Sequence, residues 1–246
     1  MMRVGLGLVM LLASATAGQT MSGGCPGVPV SLSPLPSLGA EIAARDPVTI
    51  VAFGSSSTEG AGASGPEASY PARLEVLLRA ALPGQPITVI NSGRSGDTTA
   101  QMLSRLDRDV LAHRPDLVIW QAGANEALQG ADPEAFAVRM REGLGRLAAA
   151  GIPVVLMDNQ LSPRIQQSSG HDRFPEALRA LAGERHLALF PRGRVMAAWS
   201  AAGVPGAELL SPDGLHHNDR GYACLAEAVA AALIEASGAR TLVAGR

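Results

Sequence analysis

Short apolar runs, several of them rich in β-branched residues, recur at Val48–Phe53, Ile87–Ile90, Leu117–Gln121, Val154–Asp158 and Leu187–Phe190. Each is long enough for one buried strand and too short for a helix. Between them, residues 70–82, 99–114, 133–150 and 175–186 carry apolar positions at helical spacing, and a last helix is expected from about Asn218 to about Ala236. Asp132 before Pro133 reads as an N-cap with proline at the first helical position. Strand and helix alternating five times predict an α/β fold, with a central parallel sheet of about five strands covered on both faces. No internal repeat and no shift in composition marks a second domain, so one domain is expected over 47–246. Residues 18–46, rich in Gly, Pro and Ser, read as a linker leading into it.

The loops after such strands converge at one edge of the sheet, where open α/β sheets bind ligands. Four polar segments fall at strand ends or just before the last helix: Gly54–Gly60 (GSSSTEG), Asn91–Thr99 (NSGRSGDTT), Gly123–Ala127 (GANEA) and Ser211–Tyr222 (SPDGLHHNDRGY). A Ser/Gly cluster after a strand is also ordinary turn chemistry, and an Asp three residues before a His is commonly a solvated pair. In the last segment, Gly214 eases a tight turn that lets Asp213 reach the ring of His216, and a carboxylate there fixes the tautomer of a histidine base.

Composition narrows the chemistry. The chain has 246 residues, 47% of them hydrophobic and 17% charged, with a net charge of −2. That length supports one sizeable core. Near-neutral charge leaves no electrostatic footprint for nucleic acid, and no basic cluster marks a membrane surface. With 2 Trp, 2 Tyr and 4 Phe there is little material for an aromatic platform. All 20 basic residues are arginine. Without lysine there is no Schiff base, no phosphate-loop lysine and no Ser-Lys pair, so a serine nucleophile would need histidine as its base.

The first residues read as an exported leader: a positive end (MMR), an apolar stretch, and a small-residue site before Gly18, giving a signal peptide over 1–17. The stretch is short for a membrane span, and no later segment is apolar enough to cross a bilayer. The expected location is periplasmic or secreted, where disulfides persist. Cys25 and Cys224 then have two readings, a bridge closing a loop of about 199 residues or two unpaired thiols. Neither their spacing nor the nearby histidines suggest a metal site.

Taken together and in this order, the four segments resemble the blocks of the SGNH (GDSL-type) hydrolase superfamily, over about Val48 to about Ala236. The cadence of INSGRSGDTTAQMLSRL is similar to the thioesterase I/lysophospholipase L1-like branch. The resemblance implies a flavodoxin-like three-layer sandwich and a serine esterase. Ser56 stands at the nucleophile position, Ser55 replaces the usual Asp, and Ser57 fills a variable apolar slot. Asp213 and His216 match the acid and the base. The backbone N–H groups of Ser56 and Gly96 and the side-chain amide of Asn125 match the oxyanion hole. Glu126 replaces the common Asp after Asn125. No cofactor and no metal are implied. The expected partner is a small-molecule, glycan or lipid acyl ester, with a carbohydrate O-acetyl ester first, a lipid or thioester second and acyl transfer to a sugar hydroxyl third. A catalytically silent binding module on the same fold is the contrasting class. Acyl length is expected to depend on residues 159–175 and 195–212.

Other motifs fit less well. Gly60–Gly65 matches the dinucleotide pattern Gly-x-Gly-x-x-Gly, but it starts past the first strand and no acidic residue near Ile90 could hold a ribose. A mobile loop at the cleft is the expectation there. An α/β-hydrolase elbow needs glycine where Thr58 stands. His217 is expected at the cleft rim, Trp199 beside the cleft, Trp120 in the third strand, and Tyr222 packed under the last helix.

Overall fold

The computed structural model describes residues 25–239; the expected signal peptide, 1–17, lies outside them. Each apolar run forms a strand: β1 Val48–Gly54, β2 Ile87–Gly93, β3 Leu117–Gln121, β4 Val154–Met157 and β5 Ala188–Phe190. They make one parallel sheet in the order β2-β1-β3-β4-β5. This is the flavodoxin-like order, in which the chain reverses direction across the sheet between β1 and β3 and opens a crevice at their C-terminal ends.

Alternating side chains of the strands feed two cores. Val48, Ile50 and Ala52 face one, with α1 (Pro36–Ala44), α3 (Tyr70–Ala81), α9 (Arg192–Ala201) and α10 (Asp219–Ala236). Val51 and Phe53 face the other, with α4 (Thr99–Asp109), α6 (Pro133–Ala149) and α8 (Arg173–Arg185). Three short helices cap the C-terminal edge of the sheet: α2 (Ser56–Glu59), α5 (Ala124–Gln129) and α7 (Pro163–Gln166). The layers are helix, sheet, helix. Helix α6 starts as expected, with the Asp132 carboxylate accepting from the N–H groups of Glu134 and Ala135 and Pro133 at N1.

The segment before β1 departs from the expected linker. Cys25 is bonded to Cys224 of α10, and the Pro26 carbonyl accepts a hydrogen bond from Trp199 Nε1 at 3.1 Å. Further on, Leu35 N–H donates to Ala236 O, and Val30, Leu35 and Leu38 are buried. A strap of 25–46 therefore binds α9 and α10 through apolar side chains scattered among its Gly, Pro and Ser residues. Trp199 is correspondingly buried under this strap and does not border the cleft.

Candidate active site

Ser56 opens α2 directly beyond the end of β1. As the first helical residue, its N–H has no partner within the helix and points out of its N-terminus. Strand β2 passes so close beneath α2 that a Cβ on Gly93 would collide with the backbone at Glu59. That contact sets the Asn91–Thr99 loop beside Ser56. Helix α5, starting after β3, brings Asn125 to the same edge.

The fourth segment closes the group. His216 Nε2 lies 2.8 Å from Ser56 Oγ, and His216 Nδ1 lies 2.5 Å from Asp213 Oδ2. An ionised carboxylate only accepts, so Nδ1 carries the ring proton and Nε2 is left to accept from the serine hydroxyl. Asp213 is held in turn by Ser211 Oγ at 2.7 Å and by the N–H groups of Leu215 and His216 at 2.9 and 3.0 Å. Burial works against its charge. The hydrogen bonds from Ser211, Leu215 and His216 outweigh it and hold the carboxyl well below the usual carboxylate range.

Gly96 is exposed, has φ of 83° and would have nothing within 4 Å of an added Cβ, so the side of the residue that a side chain would occupy is open. The Asn125 amide donates one N–H to Asp97 O at 2.8 Å, which leaves its second N–H available. Ser56, Gly96, Asn125, Asp213 and His216 therefore come from four separated loops to one edge of the sheet.

The two replacements flagged in the sequence have local partners. Gln121 Oε1, at the end of β3, accepts from Ser55 N–H, Ser55 Oγ and Thr58 Oγ1 at 3.0, 3.1 and 3.3 Å. A neutral serine–glutamine pair stands where a charge is usual. Glu126 accepts from Thr99 N–H at the start of α4, tying α5 to the loop that carries Gly96. Gln121 was not foreseen, although a polar residue closing a fully buried strand was visible in the sequence.

The Gly60–Gly65 loop is pinned, contrary to the mobile loop expected. Ser64 N–H and Oγ donate to the Asp219 carboxylate at 2.7 and 2.6 Å, and Tyr222 OH donates to Ala61 O at 2.7 Å. Gly62, at φ 89°, lets this loop approach the histidine segment; a Cβ there would stand 3.0 Å from His216 Cβ.

His217 also departs from expectation. It is fully buried, not at the rim, with Nδ1–H donating to Leu209 O at 3.0 Å and its ring edge-on to Tyr222. Burial, aided by the nearby Arg192 guanidinium, pushes its imidazole down to about 3. The unfolded chain takes up a proton there below about pH 6.5, whereas the folded chain stays neutral. Stability from this site is complete above that pH and is lost as the pH falls from 6.5 toward 3, with a slope of at most about 1.4 kcal/mol per pH unit. Melting curves at pH 7 and pH 5 are expected to show a lower Tm at pH 5. His217→Gln should shrink that difference; an unchanged difference would mean that His217 does not titrate on unfolding.

Beside the histidine segment runs a groove of about 520 Å³, lined by Leu161, Met196, Leu209, Leu210 and Pro212 among others. Among the described residues, no helix is long and apolar enough to cross a membrane, and no cluster of His, Cys, Asp and Glu is placed to hold a metal.

Comparison with known proteins adds three likenesses and a family match. Residues 27–239 match the non-GDSL lipase-like family. An arylesterase of Vibrio mimicus is 31% identical over 170 residues, covering 69% of this chain and 80% of that one. Among solved structures, a two-domain esterase active on acetylated mannans superposes with a TM-score of 0.72 at 22% identity, over 85% of this chain and 55% of that one. An acetyl xylan esterase, AlAXEase, superposes with a TM-score of 0.67 at 22% identity, over 76% of this chain and all (100%) of that one. At such identities the two structures speak for the fold alone.

Proposed function

We propose that this chain, which belongs to the non-GDSL lipase-like family and is a carboxylic ester hydrolase of the SGNH type, works through an acyl-enzyme on Ser56. His216 Nε2 takes the hydroxyl proton as Ser56 Oγ bonds to the ester carbonyl carbon, and the carbonyl π pair moves onto oxygen. Asp213 stabilises the imidazolium that results. The oxyanion is met by the N–H groups of Ser56 and Gly96 and by Asn125 Nδ2–H. On collapse the bond to the alkoxy oxygen breaks, and that oxygen leaves with the proton from His216. Water then attacks the acyl carbon, gives a proton to the same nitrogen, and releases the acid and free Ser56. The observation that carries this reading is the unbroken relay from Ser56 Oγ to His216 (2.8 Å) and from His216 to Asp213 (2.5 Å).

The substrate we favour is a small acyl ester, with carbohydrate O-acetyl groups first. Its support is the likeness in fold to esterases active on acetylated mannan and xylan. A second reading, a longer lipid or thioester acyl group, draws on the apolar groove beside the histidine segment. The enzyme is proposed to act outside the cytoplasm, with residues 1–17 as its export signal; the Cys25–Cys224 bridge is the support for that. Hydrolysis of p-nitrophenyl acetate, butyrate and octanoate, beside acetate release from acetylated xylan oligosaccharides, tests the substrate. We expect kcat/KM to fall by about tenfold or more from acetate to octanoate, because a pocket sized for an acetyl group admits a longer chain only by overpacking. A preference for octanoate with no acetate release would move the second reading to the front. Acetyl groups recovered on an added sugar acceptor would make the protein a transferase.

A further inference from the structure

Arg105 touches neither Ser56 nor His216, yet it binds the backbone on which the proposed oxyanion donors stand. It lies on α4, and its side chain is 4% exposed. Nη2–H donates to Gly54 O at 2.9 Å, two residues before Ser56. Nη1–H donates to Ser92 O at 2.9 Å, and Nε–H donates to Asp97 Oδ2 at 2.6 Å. The Asp97 carbonyl in turn accepts the Asn125 amide at 2.8 Å. The Phe53 ring supports the guanidinium with its centroid 4.6 Å from Cζ, and Asp109 Oδ2 takes a further contact from Nη1 at 3.2 Å.

Stability alone gives a weak reason for this arrangement. A buried ion pair pays desolvation on both partners, and packed apolar residues of similar size are often as stable or more so. What apolar residues could not do is hold three acceptors, one at the end of β1 and two on the segment between β2 and α4, at fixed mutual angles. A planar guanidinium does so, and a lysine ammonium does not. Gly96 sits between the two anchored positions of its loop, Ser92 and Asp97. On the outer side Ser95 N–H is held by Glu59 Oε2 at 2.9 Å, so the residues on both sides of Gly96 are tethered.

We propose that Arg105 is the positioning residue of the oxyanion hole. Through Gly54, Ser92 and Asp97 it fixes the Gly96 N–H and the Asn125 amide relative to Ser56. This rests on the oxyanion reading above. The test is a double-mutant cycle of Arg105→Lys and Asn125→Ala, with kcat, KM, Tm and the inhibition constant of phenylboronic acid, which forms a tetrahedral adduct on a nucleophilic serine. Asn125→Ala alone is expected to lower kcat by about 100- to 1000-fold. Arg105→Lys is expected to lower kcat by roughly 10- to 100-fold, since small misplacements of catalytic donors cost that much. It should weaken the boronic acid by a similar factor and leave KM within about twofold. In the Arg105→Lys background, Asn125→Ala should cost far less than it does alone, because the amide is already misplaced.

If Asn125→Ala leaves kcat unchanged, the oxyanion reading of Asn125 fails and this inference fails with it. If Asn125→Ala is costly while Arg105→Lys changes only Tm, or if the two losses multiply, Arg105 is structural and the proposal is wrong. Should Arg105→Lys not fold, Asp97→Asn keeps the Asp97 carbonyl, weakens only the ion pair and is judged by the same outcomes.

Discussion

Ser56→Ala is expected to reduce turnover of p-nitrophenyl acetate by roughly 10⁴-fold or more, since removing the nucleophile of a Ser-His-Asp relay leaves only the rate due to binding and the oxyanion hole. The three consecutive serines make the comparison sharp, because each hydroxyl has a different partner. Ser55 Oγ donates to Gln121 Oε1, so Ser55→Ala removes one bond of several on that oxygen and should cost about 1 kcal/mol of stability. Ser57 Oγ accepts from Arg192 Nη1 at 2.9 Å in a fully buried setting. Ser57→Ala strands a charged donor, so it should lower Tm more than Ser55→Ala does while leaving kcat within about tenfold. Only Ser56 Oγ faces an imidazole. Measured on folded protein at one temperature, a loss confined to Ser56→Ala fixes the nucleophile. If wild type and all three variants turn over equally slowly, Ser56 is no nucleophile for this ester, and a strict acceptor requirement or a binding role would come forward.

The sheet was readable because buried parallel strands need continuous apolar runs, and five such runs are separated by helical periodicity. The candidate site was readable for a different reason. Loops at strand ends carry the few polar residues that an otherwise apolar layer tolerates, and here they stand in a fixed order. What stayed hidden depends on contacts distant in sequence. His217 is polar and beside His216, which suggests a cleft position; the Leu209 carbonyl and the first turn of α10, with Gly221 and Tyr222 against its ring, turn it inward. The 25–46 strap has the composition of a linker, and its order comes from Val30, Leu35 and Leu38 meeting surfaces that local sequence does not describe. Arg105 is the intermediate case. Helical spacing sets it beside buried Met102 and Leu106, so a charge on an apolar face was visible, but its partners at Gly54, Ser92 and Asp97 were not.

Loss of the Cys25–Cys224 bridge should produce the largest change in stability of any single substitution considered for this chain. The bonded residues are 199 apart in sequence. On the chain-entropy account, a loop of that length contributes about 5 kcal/mol by restricting the unfolded chain. For a domain of this size that corresponds to a fall in Tm of roughly 10–20 °C. Cys25→Ser is the better variant, because Cys25 is half-buried while Cys224 lies in the core of α10 and would leave a polar hydroxyl there if changed to serine. Reduced wild type and Cys25→Ser should melt together, whereas Trp199→Phe, which loses the hydrogen bond to Pro26 O and part of a buried ring, should melt below wild type but above Cys25→Ser. Activity below all these melting temperatures should be unchanged within about twofold, since neither cysteine bonds to the Ser56, His216 or Asp213 side chains. If Cys25→Ser instead melts with the oxidised wild type, the strap holds by packing alone, and the bridge ceases to support the export reading.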